Sequence, residues 1–223
     1  MMAGVTTSEL PVEALAALPV VRRSQAARSA ATQARLLDAT IDCLVERGWA
    51  ATSTTEVVRR AGVSRGAQVH HYPTKEDLVL AAVEHLLERR IAEFQATFAD
   101  LPVEQRSPAD AMRLLYDNCF RETFEAWLEL VVAARTDAAL HARFVLVESR
   151  FVENALATFQ ALFPDAAADT TFARIGLRLA FSLLDGLAIN RLMDADDAEL
   201  DAVLDVFNQM VAPFFPQTPG GAS

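Results

Sequence analysis

The twenty-seven residues from Thr52 to Leu78, TSTTEVVRRAGVSRGAQVHHYPTKEDL, constrain the chain more than any other stretch. Ser53-Thr54-Thr55-Glu56 has the S-x-x-E spacing of a capping box, in which serine and glutamate satisfy orphan amides at a helix start. Val57, Val58 and Ala61 give the short helix that follows an apolar side. Gly62 stops it, because glycine takes the positive φ that a tight corner requires. Val63 is expected to plug that corner. Ser64 suits the N-cap of a second helix from Arg65 to about His71, and Pro73 ends it. Thr74-Lys75-Glu76-Asp77 opens a third, with acids in the turn where the helix dipole favours them. Two short helices joined at a glycine corner form a helix-turn-helix, whose second helix commonly enters the DNA major groove.

The net charge of -10 over 223 residues argues against nucleic acid only as an average. Between Val21 and Lys75 there are nine Lys/Arg against four Asp/Glu, and the rest of the chain carries eleven against twenty-six. A basic block on an acidic body suits a DNA-reading head whose body repels DNA. Cys43 and Cys119 lie far apart and outside any C-x-x-C, which fits a reduced, cytoplasmic protein. Residues 1–20 lack the basic start and apolar run of a signal peptide. No stretch reaches the ~18 apolar residues of a membrane span.

Taken in order, residues 1–27 mix Thr, Ser, Pro and Ala and read as a disordered arm. Arg22, Arg23 and Arg28 at its end either follow a phosphate backbone or minor groove, or form a solvated tail. A helix is predicted from about Ser29 to Arg47, closed by Gly48, with Trp49 packing across the helix-turn-helix. The head spans 28–75 and the body 76–215. In the body, helices are predicted over Leu78–Phe98, from Pro108 to a break near Asn118–Glu122, and over Phe124–Arg135. Three more follow at Asp137–Phe163, Thr171–Met193 and Ala198–Phe215. Residues 216–223 read as a disordered tail. With no convincing strand pattern, the expected class is all-α.

The block from Thr52 to Leu78 resembles the tetracycline-repressor-like (TetR) family of bacterial regulators. The residues that carry the resemblance are Thr52-Ser53, Val57-Val58, Ala61-Gly62-Val63-Ser64, Gly66, His71-Tyr72, Thr74-Lys75-Glu76 and Leu78. Val69 departs from the pattern, standing where that family commonly has a phosphate-touching tyrosine, and is expected to be buried. The resemblance implies phosphate contacts from Thr52, Ser53, Ser64 and Lys75 and base contacts from Arg65, Gln68 and His70. It also implies a methyl contact from Ala67, and Tyr72 packing in the head with its hydroxyl free to reach the DNA backbone. It implies a ligand-released repressor acting on double-stranded DNA at a palindromic operator. The alternative is a helical small-molecule binder or enzyme that does not act through DNA.

His70 and His71 are adjacent, so they point about 100° apart and do not converge on a metal. No metal, cofactor or catalytic constellation is expected. All thirteen phenylalanines lie at or after Phe94, which suits a helical core. On the apolar stripe Leu140, Phe144, Val147, Phe151 and Leu162, however, stand Asn154 and Thr158. Buried polar groups are costly without partners, so the two are explained either as the few placed polar groups of a mostly apolar pocket for a small apolar ligand, near Trp127 and Phe151, or by hydrogen bonds to a neighbouring helix. Asp185 meets Arg178, lines that pocket, or sits at a dimer seam. A homodimer is expected through the last two helices. Gly176, Ala180 and Gly186 would allow close approach there, with Leu183, Leu204 and Phe207 at the seam.

Overall fold

The computed structural model describes residues 25–119, 122–165, 167–193 and 195–214. The expected arm over 1–27 and tail over 216–223 therefore lie almost wholly outside the described residues. Every regular element described is helical: α1 (Gln25–Ala51), α2 (Thr54–Ala61), α3 (Arg65–His71), α4 (Lys75–Asp100), α5 (Pro108–Cys119), α6 (Glu122–Ala134), α7 (Ala138–Leu162), α8 (Thr170–Leu192) and α9 (Asp197–Val211). The class is all-α. No described helix is long and apolar enough to cross a membrane.

The corners follow from local chemistry. Gly48 interrupts α1 at φ +71° and ψ 175°, a conformation open almost only to glycine, so the last turn sets off in a new direction. Gly62, at φ +61°, ends α2 in the left-handed cap, its amide reaching the carbonyls of Val58 and Arg59. Ser53 Oγ accepts the Glu56 amide at 3.3 Å and Ser64 Oγ the Ala67 amide at 3.1 Å. The reciprocal capping box occurs at Thr74 and Asp77 instead. The Glu56 carboxylate is drawn away by Arg59 at 2.6 Å and Arg47 at 3.2 Å. The Arg59 hydrogen bond holds that carboxylate down at about 2.

One core runs without interruption from head to body. Leu36, Leu44, Val57, Leu78, Val83, Leu86, Leu130 and Leu140 are buried together, drawn from α1, α2, α4, α6 and α7. A second core joins α5, α8 and α9 through Met112, Tyr116, Leu184, Leu187, Leu200 and Leu204. The head is thus seated on α6 and α7, and α8 and α9 build outward from the far side.

Candidate functional site

Two regions hold chemistry that packing does not consume: the outer face of α3, and a cavity between α4, α6, α7 and α8. On α3, Arg65, Gly66, Val69 and His70 are exposed. At ~100° per residue they cover one continuous face, with Ala67, Gln68 and His71 turned the other way. The cap hydroxyls of Ser53 and Ser64 are exposed and each already accepts one amide, which leaves the hydroxyl hydrogen for an outside acceptor. Arg65 forms no ion pair among the described residues.

Several expected contacts are placed differently. Gln68 is 1% exposed, its Nε2 donates to the Tyr72 carbonyl and its Oε1 has no partner among the described residues. It faces the core rather than base edges, because position 68 falls on the side of α3 that packs under α1. Val69, expected inside, is 45% exposed for the same reason of register. Thr52 is buried and its hydroxyl donates to the Gly48 carbonyl at 2.8 Å, closing the turn after the kink instead of facing phosphate. Lys75 Nζ donates to the Trp49 carbonyl at 2.5 Å and sits 4.3 Å from the centre of the Trp49 ring. Burial lowers its pKa, and the ammonium is engaged within the head. Tyr72 packs half-buried in the head as expected, but its hydroxyl is bonded to Gln33 rather than free for the DNA backbone.

The cavity measures about 440 Å³, within the range of small-molecule pockets. Trp127 of α6, Phe151 of α7 and Asp185 of α8 all line it, as does Glu148 of α7. Trp127 Nε1 donates to Glu148 Oε1. Burial pushes Asp185 up to about 6, with further push from Glu148, and burial also raises Glu148. Of the alternatives open for Asp185, it lines the cavity, and Arg178 lines the same wall. Phe151 and Phe181, with ring centres 5.2 Å apart, separate this space from a smaller apolar cavity of about 90 Å³. Thr158 lines the smaller one and accepts the Gln95 amide at 2.9 Å, so a neighbouring helix satisfies it. Asn154 is exposed and belongs to neither cavity. The buried face of α7 there runs through Ala155, Leu156 and Thr158, and position 154 falls outside it.

Glu148 and the α6 link to the head were missed in the sequence. Glu148 lies between Phe144 and Phe151 in the chain but, at ~100° per residue, about 40° beyond the edge of the stripe that singled out Asn154, so that signal did not reach it. Two residues beyond Trp127, Glu129 Oε2 accepts the Trp49 amide at 2.6 Å. A Cβ at Gly48 would lie 2.8 Å from that same oxygen. Nothing in the local sequence marks this contact across eighty residues.

At the expected seam, Leu204 is completely buried in its own chain, within the core of α5, α8 and α9. It is not a surface residue. Leu183 and Phe207 pack half-buried against that core, as does Ala180. A Cβ at Gly176 or Gly186 would meet nothing within 4 Å. Exposed apolar residues here include Ile175, Leu179 and Ile189 of α8 and Val203, Val206 and Met210 of α9.

Residues 36–82 match the family model for bacterial regulatory proteins of the tetR family. The regulator CymR of Pseudomonas putida is 33% identical over 207 residues, covering 86% of this chain and 97% of that protein. The chain belongs to the TetR family. It is a helix-turn-helix transcriptional regulator, and the family is not enzymatic. An uncharacterised HTH-type regulator of Mycobacterium tuberculosis is 33% identical over 178 residues, 76% of this chain and 87% of that one. A transcriptional regulator from Rhodococcus sp. Rha1 shares the TetR fold at TM-score 0.63 and 22% identity, over 84% of this chain and 99% of the other.

Proposed function

We propose that this TetR regulator is a homodimeric repressor that leaves a palindromic operator when a small molecule enters the 440 Å³ cavity. The observation that carries the reading is α6, which belongs to both regions. Trp127 forms cavity wall, and Glu129 holds the Trp49 amide beside the Gly48 kink. Trp49 in turn receives Lys75 from the first turn of α4. An occupant that shifts α6 therefore acts on the junction from which the helix-turn-helix and α4 depart, and differential contact of this kind is what couples two sites. Among DNA contacts, Ser53, Ser64, Arg65 and His70 are the exposed candidates, with Ala67 beside them.

The exposed apolar residues of α8 and α9 support dimerisation. Ile175 is 62% exposed and Leu179 54%, and both belong to one long helix. A patch of this kind on a folded body marks an interface. Two-fold symmetry would then set two α3 helices on successive major grooves, about 34 Å apart.

The test is selection from a random duplex library, with footprinting of the winner and sedimentation of the protein alone. A two-fold site with half-site centres about one helical turn apart, bound by a dimer, is expected. A monomer in sedimentation with no selected sequence would overturn the reading. Against a binder that ignores DNA, the discriminating measurement is the salt dependence of affinity for the selected duplex, which phosphate contacts make steep.

A further inference from the structure

We propose that the effector is an organic cation: an amine or quaternary ammonium on an aromatic or alkyl body, its charge held between Glu148 and Asp185. This rests on the cavity being the effector site. The walls carry four aromatic side chains, Phe124, Trp127, Phe151 and Phe181, with the two carboxyl groups set among them. Aromatic faces and carboxylates together attract a positive head, and attract it more strongly where water is excluded.

The acids lack the partners that half-buried carboxylates need. Asp185 makes no hydrogen bond or ion pair among the described residues, and Glu148 receives only the Trp127 indole. Glu148 adds to the cost of charging Asp185, while burial raises Glu148 against the pull of the Trp127 indole and Arg178. A cation placed between them removes that cost, whereas an anion would add to it.

The arginines do not reverse the preference. Arg174 and Arg178 line the cavity from exposed positions on α8, where water screens them, and although Arg178 acts on Glu148 that carboxyl still lies above its ordinary range. Arg90 of α4 also lines it and acts on Asp185, yet Asp185 still titrates well above an ordinary aspartate. Facing the acid pair are therefore Arg90 from α4, the Trp127 indole from α6 and the two rim arginines from α8. Ligand binding should strengthen with pH through about 6, as Asp185 gives up its proton. The apolar body of such a ligand would lie against Phe151 and Phe181, toward the smaller cavity.

The experiment uses the full chain and three probes of matched shape: 4-phenylbutylamine, 4-phenylbutan-1-ol and 4-phenylbutanoate. Calorimetry at pH 7.5 should rank the amine at least tenfold tighter than the alcohol, with the carboxylate weakest. Asp185→Asn and Glu148→Gln should each weaken the amine about tenfold and leave the alcohol within twofold. At pH 5 the amine should bind wild type several-fold more weakly, and Asp185→Asn should lose much of that dependence. Equal binding of amine and alcohol, preference for the carboxylate, or no binding by any probe would overturn the inference. Operator affinity of the ligand-free protein is read separately. If DNA binds but the amine is not preferred, only the ligand class falls. If the amine is preferred but no duplex is bound, only the repressor reading falls.

Discussion

The head and the body of this regulator are finished to different degrees. In the head, polar groups close on one another: Ser53, Ser64 and Thr74 cap helices, Glu46 takes Arg60 and Glu56 takes Arg59. Even Lys75 is spent on Trp49. The body leaves apolar side chains in water along α8 and α9 and keeps a cavity with two acids in its wall. A rigid reader needs one shape, which satisfied local bonds supply. A sensor needs an occupant and a partner, so its lone chain retains unfilled space and uncovered surface. The contrast is between a part complete in itself and a part completed by others.

The sharpest way to break that contrast is to place a charge at two body positions that the sequence does not separate. Leu204→Glu buries an unpaired carboxylate in the core of α5, α8 and α9 and should cost at least about 3 kcal/mol, leaving little folded protein. Ile175→Glu meets only water in the single chain and should keep the thermal transition of the isolated fold, yet yield monomer in sedimentation. If Ile175→Glu remains dimeric, the uncovered face of α8 serves something other than a second copy.

Gly48→Ala is next in size. The glycine backbone lies in a region nearly closed to alanine, and the added carbon would press on Glu129. A loss of roughly 2–3 kcal/mol is expected, or about 5–10 °C in Tm for a chain of this length. Because the clash strikes the α6 link, ligand and operator should also uncouple in the folded fraction. An alanine variant with unchanged Tm and intact coupling would show that the head does not depend on this corner.

These cases mark what the sequence made legible. The helices and their ends were readable because the signals are local: Gly62 and Pro73 punctuate the head, and Ser64 caps α3 as its place before Arg65 predicts. The placing of Trp127, Phe151 and Asp185 around one cavity was partly readable from apolar context. Asn154 was misread because the buried face of α7 passes through Ala155, Leu156 and Thr158 and leaves position 154 exposed. Leu204 and Ile175 are alike on a hydropathy pattern, and only tertiary packing separates core from surface. The Glu129–Trp49 bond joins residues eighty apart and has no local signature.

A smaller effect tests the acid in the cavity wall. Asp185 is raised from its ordinary 3.8 to about 6, so the folded chain holds its proton where the unfolded chain has released it. Stability is therefore greatest below about pH 4 for this group and is lost as pH rises through about 6. Two pKa units correspond to about 3 kcal/mol at full burial, reduced to roughly 1–2 by the water that reaches this half-buried group. Asp185→Asn should remove that slope in urea unfolding compared at pH 5 and pH 7.5. An unchanged slope would mean that the carboxylate is solvated like those on the head.

The smallest effect returns to the head, where Gln68 decides how far its polar groups are internal. With Oε1 unpartnered and Nε2 given to the Tyr72 carbonyl, a leucine of similar volume loses one hydrogen bond and removes one unmet acceptor. The two changes offset, so Gln68→Leu should lie within about 1 kcal/mol of wild type in unfolding. Its affinity across a duplex library should keep the same base preferences, since the side chain does not reach the α3 surface. Arg65→Ala, on the exposed face of the same helix, should instead relax one position of the site by about 1–3 kcal/mol. Relaxed preference in Gln68→Leu, with stability unchanged, would mean that Gln68 swings outward on DNA. The head would then be completed by its partner just as the body is, and the contrast between them would fail.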